Sequence, residues 1–386
     1  MLCLVLLIPV TDNPAFCSAD DLYHTFKTRQ LLSLQIKYVS MALPNKKSKT
    51  AVFLINLGTP DSPNTPDVRK YLREFLMDRR VIDIPWLNRW LLINFIVAPF
   101  RAPKSAHEYK KLWTEQGSPL FFHGLAIKEI LQHSLGDDYK VVLGMRYQNP
   151  SIESAAKELE GKGYGKIIVI PLFPQYASAS TGSAIEEALR VLGKWEITPE
   201  IHVISKFFDH PLFIKAFADL GRKYLKERSY DHILFSYHGI PERQIKRSSV
   251  GEYCKYGNCC SVYGAKNEYC YRAQCYETTR LLVKELALEE GSYSVSFQSR
   301  LGKTPWIKPY TDHYVEDLAK AGKKSILFFS PSFIADCLET TVEGGEEYKL
   351  LFEKHGGEHW QLIESLNTDH TWVECLKEMV VSRNAI

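Results

Sequence analysis

The sequence predicts an α/β protein built from two doubly wound, Rossmann-like domains with parallel sheets and a cleft between them. Three observations lead there. Short, nearly continuous apolar runs alternate with charge-rich stretches along the chain from residue 50. The runs have strand length and are rich in β-branched and aromatic residues, as suits parallel strands covered on both faces. The same order of apolar strand, polar residues at its carboxyl end, then helix occurs in both halves, which is the grammar of βαβ units.

In chain order the strand candidates are "TAVFLINLG" (50–58), "YKVVLGMRY" (139–147), "KIIVIPLFP" (166–174), "IHVISKF" (201–207), "HILFSYH" (232–238), "YSVSFQS" (293–299) and "SILFFSP" (325–331). Between them lie the helix candidates "PDVRKYLREFLMD" (66–78), "SIESAAKELEGKG" (151–163), "GSAIEEALRVLGK" (182–194), "HPLFIKAFADLGRKYLKE" (210–227), "ETTRLLVKELALEEG" (277–291) and "YTDHYVEDLAKAGKK" (310–324). The break between halves falls near "FFDHP" (207–211). The expected organisation is a first α/β domain over 50–207 with an apolar lip at 81–103, a second over 208–370 with a Cys-rich insertion at 250–276, and a C-terminal helix over 371–386. Such folds place ligands at the carboxyl ends of their strands.

The opening "MLCLVLLIPV" has the apolar run of a signal segment, but no positive residues precede it and Asp12, Asn13 and Pro14 soon break it. "MALPNKKSK" begins at Met41, directly before the first strand, so residues 1–49 are expected to be a disordered or over-called extension.

Composition excludes several classes. Of the 386 residues 45% are apolar and 24% charged, and no uninterrupted apolar stretch is long enough to span a bilayer. The net charge is only +3, with Lys and Arg spread among acids, so nucleic acid is not an expected partner. No G-x-G-x-x-G follows the first strand and no G-x-x-x-x-G-K-[ST] occurs, which removes nucleotide-phosphate cradles. Nine cysteines, five of them within 254–275, fit a reducing compartment with one metal-binding segment better than a disulfide framework.

Candidate chemistry sits at the strand ends. "FSYHGIPER" (235–243) puts His238 where an apolar strand stops at Gly239 and Pro241. A lone strand-end histidine is most often structural, but "SPSFIADCLETTVEGGEEY" (330–348) adds Asp336, Glu339, Glu343, Glu346 and Glu347. On a helix Glu339 and Glu343 share one face, where like charges are unfavourable, so the face is either solvated or a path for protons or cations. In the first half Arg146, Tyr147, Tyr176, Ser178, Ser180 and Thr181 lie at or just past strand ends. Thr181 or Ser183 serves equally well as a helix cap, whereas a guanidinium at Arg146 is well suited to a carboxylate. "PWLNRWLLINFIVAPFRAPKSAHEYKKLW" (85–113) is either a buried helix or an apolar lip resting on a membrane surface.

"INLGTPDSP", "GMRYQNP", "PQYASASTGSA", "SYHGIPERQ" and "ADCLETTVEGGEEY", in this order, resemble the protoporphyrin ferrochelatases, and the likeness runs from about residue 50 to 380. The resemblance implies an enzyme, a lyase of heme biosynthesis, that inserts Fe(II) into protoporphyrin IX held in the cleft. It implies His238, Glu339 and Glu343 as catalytic residues, with His238 and Glu339 also meeting the incoming iron and Asp336 on the acidic path beyond. Arg146, Tyr147, Tyr176, Tyr109, Ser118 and Leu57 are implied as porphyrin-binding or cleft-lining residues. Residues 85–101 become the lip, for a substrate that travels through the membrane, and the location is cytoplasmic with peripheral membrane contact. His238 serves as base or as metal-delivery ligand. Leu57 stands where some family members have Met, and Cys337 where others have His.

The cysteine spacing C-x4-C-C-x9-C-x4-C lacks the C-x2-C pair of most structural zinc sites, while a C-x4-C step occurs in [2Fe–2S] ligation. The chain resembles a bacterial group whose insertion supplies every cluster ligand, since Ser178 occupies the position of the animal-type cysteine. Four of Cys254, Cys259, Cys260, Cys270 and Cys275 are then expected to bind a [2Fe–2S] cluster, with adjacency making it hard for Cys259 and Cys260 both to serve. Free thiols in a loop are the plainer alternative. Two other readings stand beside the main one. One is a chelatase for coproporphyrin or another tetrapyrrole or metal; the other is a non-catalytic iron–sulfur or porphyrin-binding module.

Overall fold

The computed structural model describes residues 49–300, 302 and 304–384. The expected N-terminal extension lies outside the described residues, apart from residue 49.

Among the described residues eight strands form two four-stranded parallel sheets. In the first, β1 (Thr50–Gly58), β2 (Tyr139–Tyr147), β3 (Lys166–Pro171) and β4 (Glu200–Val203) lie in the order β2-β1-β3-β4. In the second, β5 (His232–His238), β6 (Tyr293–Gln298), β7 (Ser325–Phe329) and β8 (His359–Leu362) repeat that order as β6-β5-β7-β8. Both central strands are covered on both faces: Ala51 to Ile55 and Leu234 to Phe235 are fully buried. That explains why these strands read as unbroken apolar runs rather than as an alternation. One core cluster reaches across both sheets, from Val52 and Leu54 of β1 to Phe235 of β5 and Leu327 of β7.

The helices follow the strands: α1 (Thr65–Met77), α2 (Trp86–Leu91), α3 (Ala98–Leu112), α4 (Pro119–Leu135), α5 (Ile152–Lys157), α6 (Ser183–Leu192), α7 (Pro211–Glu227), α8 (Glu242–Arg247), α9 (Tyr271–Leu286), α10 (Thr311–Lys320), α11 (Tyr348–Lys354) and α12 (His370–Asn384). Among the described residues three π-helical stretches interrupt the pattern, Leu92–Val97 between α2 and α3, Ser178–Gly182 before α6 and Leu338–Glu347 before α11. The last two follow β3 and β7, the equivalent strands of the two sheets, and a π stretch at a strand end is a common mark of a functional site.

Several expectations are corrected. The helix expected over 277–291 begins six residues earlier, at Tyr271, and stops at Leu286 because Ala287 takes a left-handed conformation (φ 53°). The helix expected over 151–163 ends at Lys157. Helix α4 was not among the candidates, although Ser118 and Pro119 at its start and Gly136 (φ 74°) at its end are standard boundary residues. Strand β8 was not among the candidates.

At the expected lip, Trp86, Leu87, Leu91, Phe95, Ile96 and Phe100 are all exposed, Phe100 to 78%. The base of this patch is fixed. Buried Arg89 donates to the Ile82 and Ile84 carbonyls, both at 3.0 Å. Asp83 receives Arg243 and Arg247 from α8, so the patch is tied to the segment that follows β5. The Arg243 hydrogen bond holds the Asp83 carboxyl below its ordinary value. A group with a depressed value stabilises the fold above the unfolded-state value and loses that contribution as the pH falls through the folded one.

Candidate functional site

The site is assembled from the carboxyl ends of β1, β2, β5 and β6 and from the π stretch after β7. His238 is the last residue of β5, and its register partner in β6 is Gln298. Its Nδ1 lies 2.6 Å from the Gly239 carbonyl. A carbonyl only accepts, so Nδ1 is the donor, and in the neutral tautomer this leaves the ring's lone pair on Nε2. The ring sits between Trp306 and Phe333, with centroids 6.5 and 6.2 Å away. Gly239 is required here: a Cβ would come within 2.8 Å of the Gln298 carbonyl and 3.3 Å of the Trp306 ring.

Gln298 joins the histidine to the acids. Its Nε2 donates to the Glu339 carbonyl at 2.8 Å and to the Glu343 carboxylate at 3.3 Å. Glu343 also accepts from the Ser299 amide (3.0 Å), the Ser299 hydroxyl and the Tyr348 hydroxyl (2.6 Å). Ser299 adopts φ 65°, a left-handed conformation costing a non-glycine residue of order 1–3 kcal/mol, and its two bonds to Glu343 hold it there. One glutamine that the sequence reading passed over thus links the end of β5, beside which it lies in register, to the Glu339 main chain and the Glu343 carboxylate. Gln298 obeys the strand-end rule that singled out His238, and that rule was its available signal.

Opposite stands an aromatic floor contributed by both halves. Tyr71, Tyr109, Leu112, Tyr147 and Val342 are buried together, with Leu57, Leu72, Phe75, Trp113 and Leu338 packed against them. The Tyr109 ring meets Tyr71 edge-on at 6.2 Å and Trp113 at 6.5 Å. Burial first, and then the Glu339 charge, push the Tyr71 hydroxyl well above its ordinary range, which places that carboxylate at the floor's edge. The Cys337 thiol, hydrogen-bonded to Glu339, is likewise pushed up, chiefly by burial. Gly58 closes β1 at φ 107°, and a Cβ there would meet the Tyr147 carbonyl at 1.9 Å, so only glycine lets the first strand turn against the second.

The remaining expected residues divide. Arg146, offered by the sequence to a substrate carboxylate, finds one within the chain: its guanidinium donates to Asp78 at 2.7 Å and to the Ser183 hydroxyl at 2.7 Å. Tyr147 is buried and its hydroxyl also donates to Asp78, at 2.9 Å. Asp78, with 5% of its side chain exposed, was missed because a single acid in "FLMDRR" carries no local signal. Ser118 precedes α4 and accepts a hydrogen bond from Thr59 at 3.0 Å, tying α4 to the loop after β1. Tyr176 stacks edge-on against Tyr269 of the cysteine segment at 5.6 Å. Asp336 does not continue the acidic row; it accepts from the Ser365 amide and the Asn367 side chain and holds the loop after β8.

In the cysteine segment, Cys254, Cys259, Cys260 and Cys270 line one small cavity with Ser249, Tyr253, Lys266 and Asn267, whereas Cys275 does not. The adjacent pair, expected to find it hard to serve together, lines the same cavity: a 3-10 turn over Asn258–Cys260 leaves their sulfurs 3.9 Å apart. Cys260 hydrogen-bonds Cys270 and lowers the Cys270 thiol, while Cys254 is raised by burial. All five cysteines are free thiols. Among the described residues no group of three or more His, Cys, Asp or Glu side chains is already arranged to hold a metal ion. Among the same residues no helix is long and apolar enough to cross a membrane.

Comparison with known proteins agrees with this geometry. The family model described as Ferrochelatase matches residues 49–384. A ferrochelatase of Legionella pneumophila (strain Paris) is 48% identical over 332 residues, 86% of this chain and 98% of the relative. One of Coxiella burnetii (strain Dugway 5J108-111) is 44% identical over 345 residues, 89% of this chain and 96% of the relative.

Proposed function

The chain belongs to the ferrochelatase family, enzymes of the lyase class that insert iron into a porphyrin, and on that premise we propose protoporphyrin IX as its porphyrin and protoheme as its product, at the end of heme biosynthesis. The observation that carries the reading is that Gln298, in register with His238, holds the Glu339 carbonyl and the Glu343 carboxylate beside a buried aromatic cluster.

Metallation replaces two pyrrole N–H protons with one dication, so charge balances and the iron keeps its oxidation state. With Nδ1 protonated toward Gly239, the Nε2 lone pair of His238 is the group that takes a pyrrole proton or meets the metal. Glu339 and Glu343 are hard oxygen donors suited to a ferrous ion or to passing protons outward. Leu57, Tyr109 and Tyr147 belong to the floor against which the macrocycle lies, Tyr176 and Ser118 are the further cleft-lining residues of this reading, and Arg146 orders the floor through Asp78. Anaerobic mixing of the protein with Fe(II) and protoporphyrin should bleach the free-porphyrin bands as heme bands appear. Turnover of coproporphyrin but not protoporphyrin would overturn the substrate assignment.

The four thiols of one cavity suit a [2Fe–2S] cluster in donor type and number. Cys254, Cys259, Cys260 and Cys270 would hold it, and Cys275 would not. When bound it supplies a one-electron centre, which Fe(II) insertion does not use. Purified protein should be brown, each of those four Cys→Ser variants should lose the colour, and Cys275→Ser should retain it; a colourless Cys275→Ser protein would overturn this ligand set.

The exposed aromatic patch supports peripheral contact of a cytoplasmic enzyme with a membrane. Rigid aromatic side chains on a fixed base are suited to the interface. In flotation with lipid vesicles the wild type should rise with the lipid and a Trp86→Ser/Phe95→Ser/Phe100→Ser variant should stay below; equal flotation would count against the lip.

A further inference from the structure

We propose that Tyr271 is a positioning residue for His238. The inference rests on the assignment of His238 as the group that meets the pyrrole protons or the metal, and it names the contact that aims it.

In a parallel sheet each backbone amide and carbonyl of a central strand needs a partner on one neighbour or the other. The ladder from β5 to β7 ends at the pair Phe235–Phe329, three residues before His238. On the β6 side pairing continues through His238–Gln298, and the Gly239 amide donates to the Gln298 carbonyl at 2.7 Å. On the β7 side the strand has run out.

Two side chains take its place. The Ser332 hydroxyl accepts the His238 amide at 3.3 Å, and the Tyr271 hydroxyl donates to the His238 carbonyl at 2.8 Å. The two hydroxyls are 3.2 Å apart. The peptide joining His238 to Gly239 is therefore pinned at both ends, its carbonyl by Tyr271 and its amide by Gln298. That peptide sets the direction of the next carbonyl, on Gly239, which receives the Nδ1 proton of His238. The tautomer and the aim of Nε2 thus depend on one tyrosine hydroxyl.

Tyr271 is well built for that task. It is the first residue of α9 and only 5% exposed. It directly follows Cys270, so a displacement in the cysteine segment reaches the histidine across one residue.

Tyr271→Phe removes the hydroxyl and keeps the ring. The expected result is a fall in kcat of about tenfold, from a buried carbonyl left without its donor, with KM for porphyrin unchanged. The melting curve should stay close to wild type. Nitrogen-15 spectra of the labelled imidazoles should show His238 with Nδ1 protonated in the wild type and a mixed tautomer in the variant. Ser332→Ala should act in the same direction, and the double variant should lose less than the product of the two single losses. An unchanged kcat, or a lower kcat tracking loss of folded protein with the His238 tautomer intact, would overturn the proposal. If the wild type metallates no porphyrin, the function assigned above fails, while the tautomer comparison still decides this inference.

Discussion

His238→Ala is expected to lower the rate of metallation by about 10²–10⁴-fold while leaving porphyrin binding close to wild type. The rate falls because the substitution removes the only side chain at the end of β5 whose lone pair is free for a pyrrole proton or a metal. Binding survives because the floor of Tyr71, Tyr109, Tyr147 and Leu57 is built from other strands and helices and does not include His238. The backbone at 238 is held by Ser332, Tyr271 and the Gln298 register, and none of these bonds uses the imidazole. The half-buried ring also leaves no large cavity when truncated, so a folded protein is expected. Porphyrin fluorescence quenching measures binding, and the rise of heme absorbance measures turnover. A variant that turns over at the wild-type rate would remove His238 from the chemistry and shift attention to Glu339.

Much of this was legible in the chain. Strands β1, β2 and β5 fall on their expected boundaries because short apolar-rich runs buried on both faces leave a signal that needs no partner to be read. His238 was found by position, since a polar residue ending such a run must emerge at the carboxyl edge of the sheet. What escaped depends on pairing between distant segments. Asp78 acquires meaning only when Arg146, Tyr147 and Ser183, roughly 70 to 105 positions away, converge on it. Tyr271 was hidden by its neighbours: among cysteines it reads as part of a loop, yet it starts a helix and completes the bonding of a strand that ended 33 residues earlier. Adjacency made it hard to expect both Cys259 and Cys260 at one site, whereas a 3-10 turn leaves their sulfurs 3.9 Å apart on one cavity.

Asp78→Ala should be the most destabilising single change at the site, by about 3–5 kcal/mol, because it leaves a guanidinium with its partner gone in a position that is only 19% exposed. Three side-chain donors, from Arg146, Tyr147 and Ser183, converge on this carboxylate beside the Arg80 amide, so no neighbour can compensate. The melting temperature should drop by roughly 6–20 °C. Arg146→Met alone should also be costly, since it strands a nearly buried acid, and the double variant should lose less than the two single losses combined. Kinetics then distinguish a structural arginine from a substrate-binding one. If Arg146 serves chiefly Asp78, both single variants should lower the yield of folded enzyme, and the folded fraction should keep the wild-type KM for porphyrin. If Arg146 instead reaches a propionate, Arg146→Met should raise KM while Asp78→Ala, which frees the guanidinium, should lower it. The geometry favours the first outcome, since the guanidinium already meets a carboxylate at 2.7 Å and stacks over the Tyr147 ring at 4.6 Å.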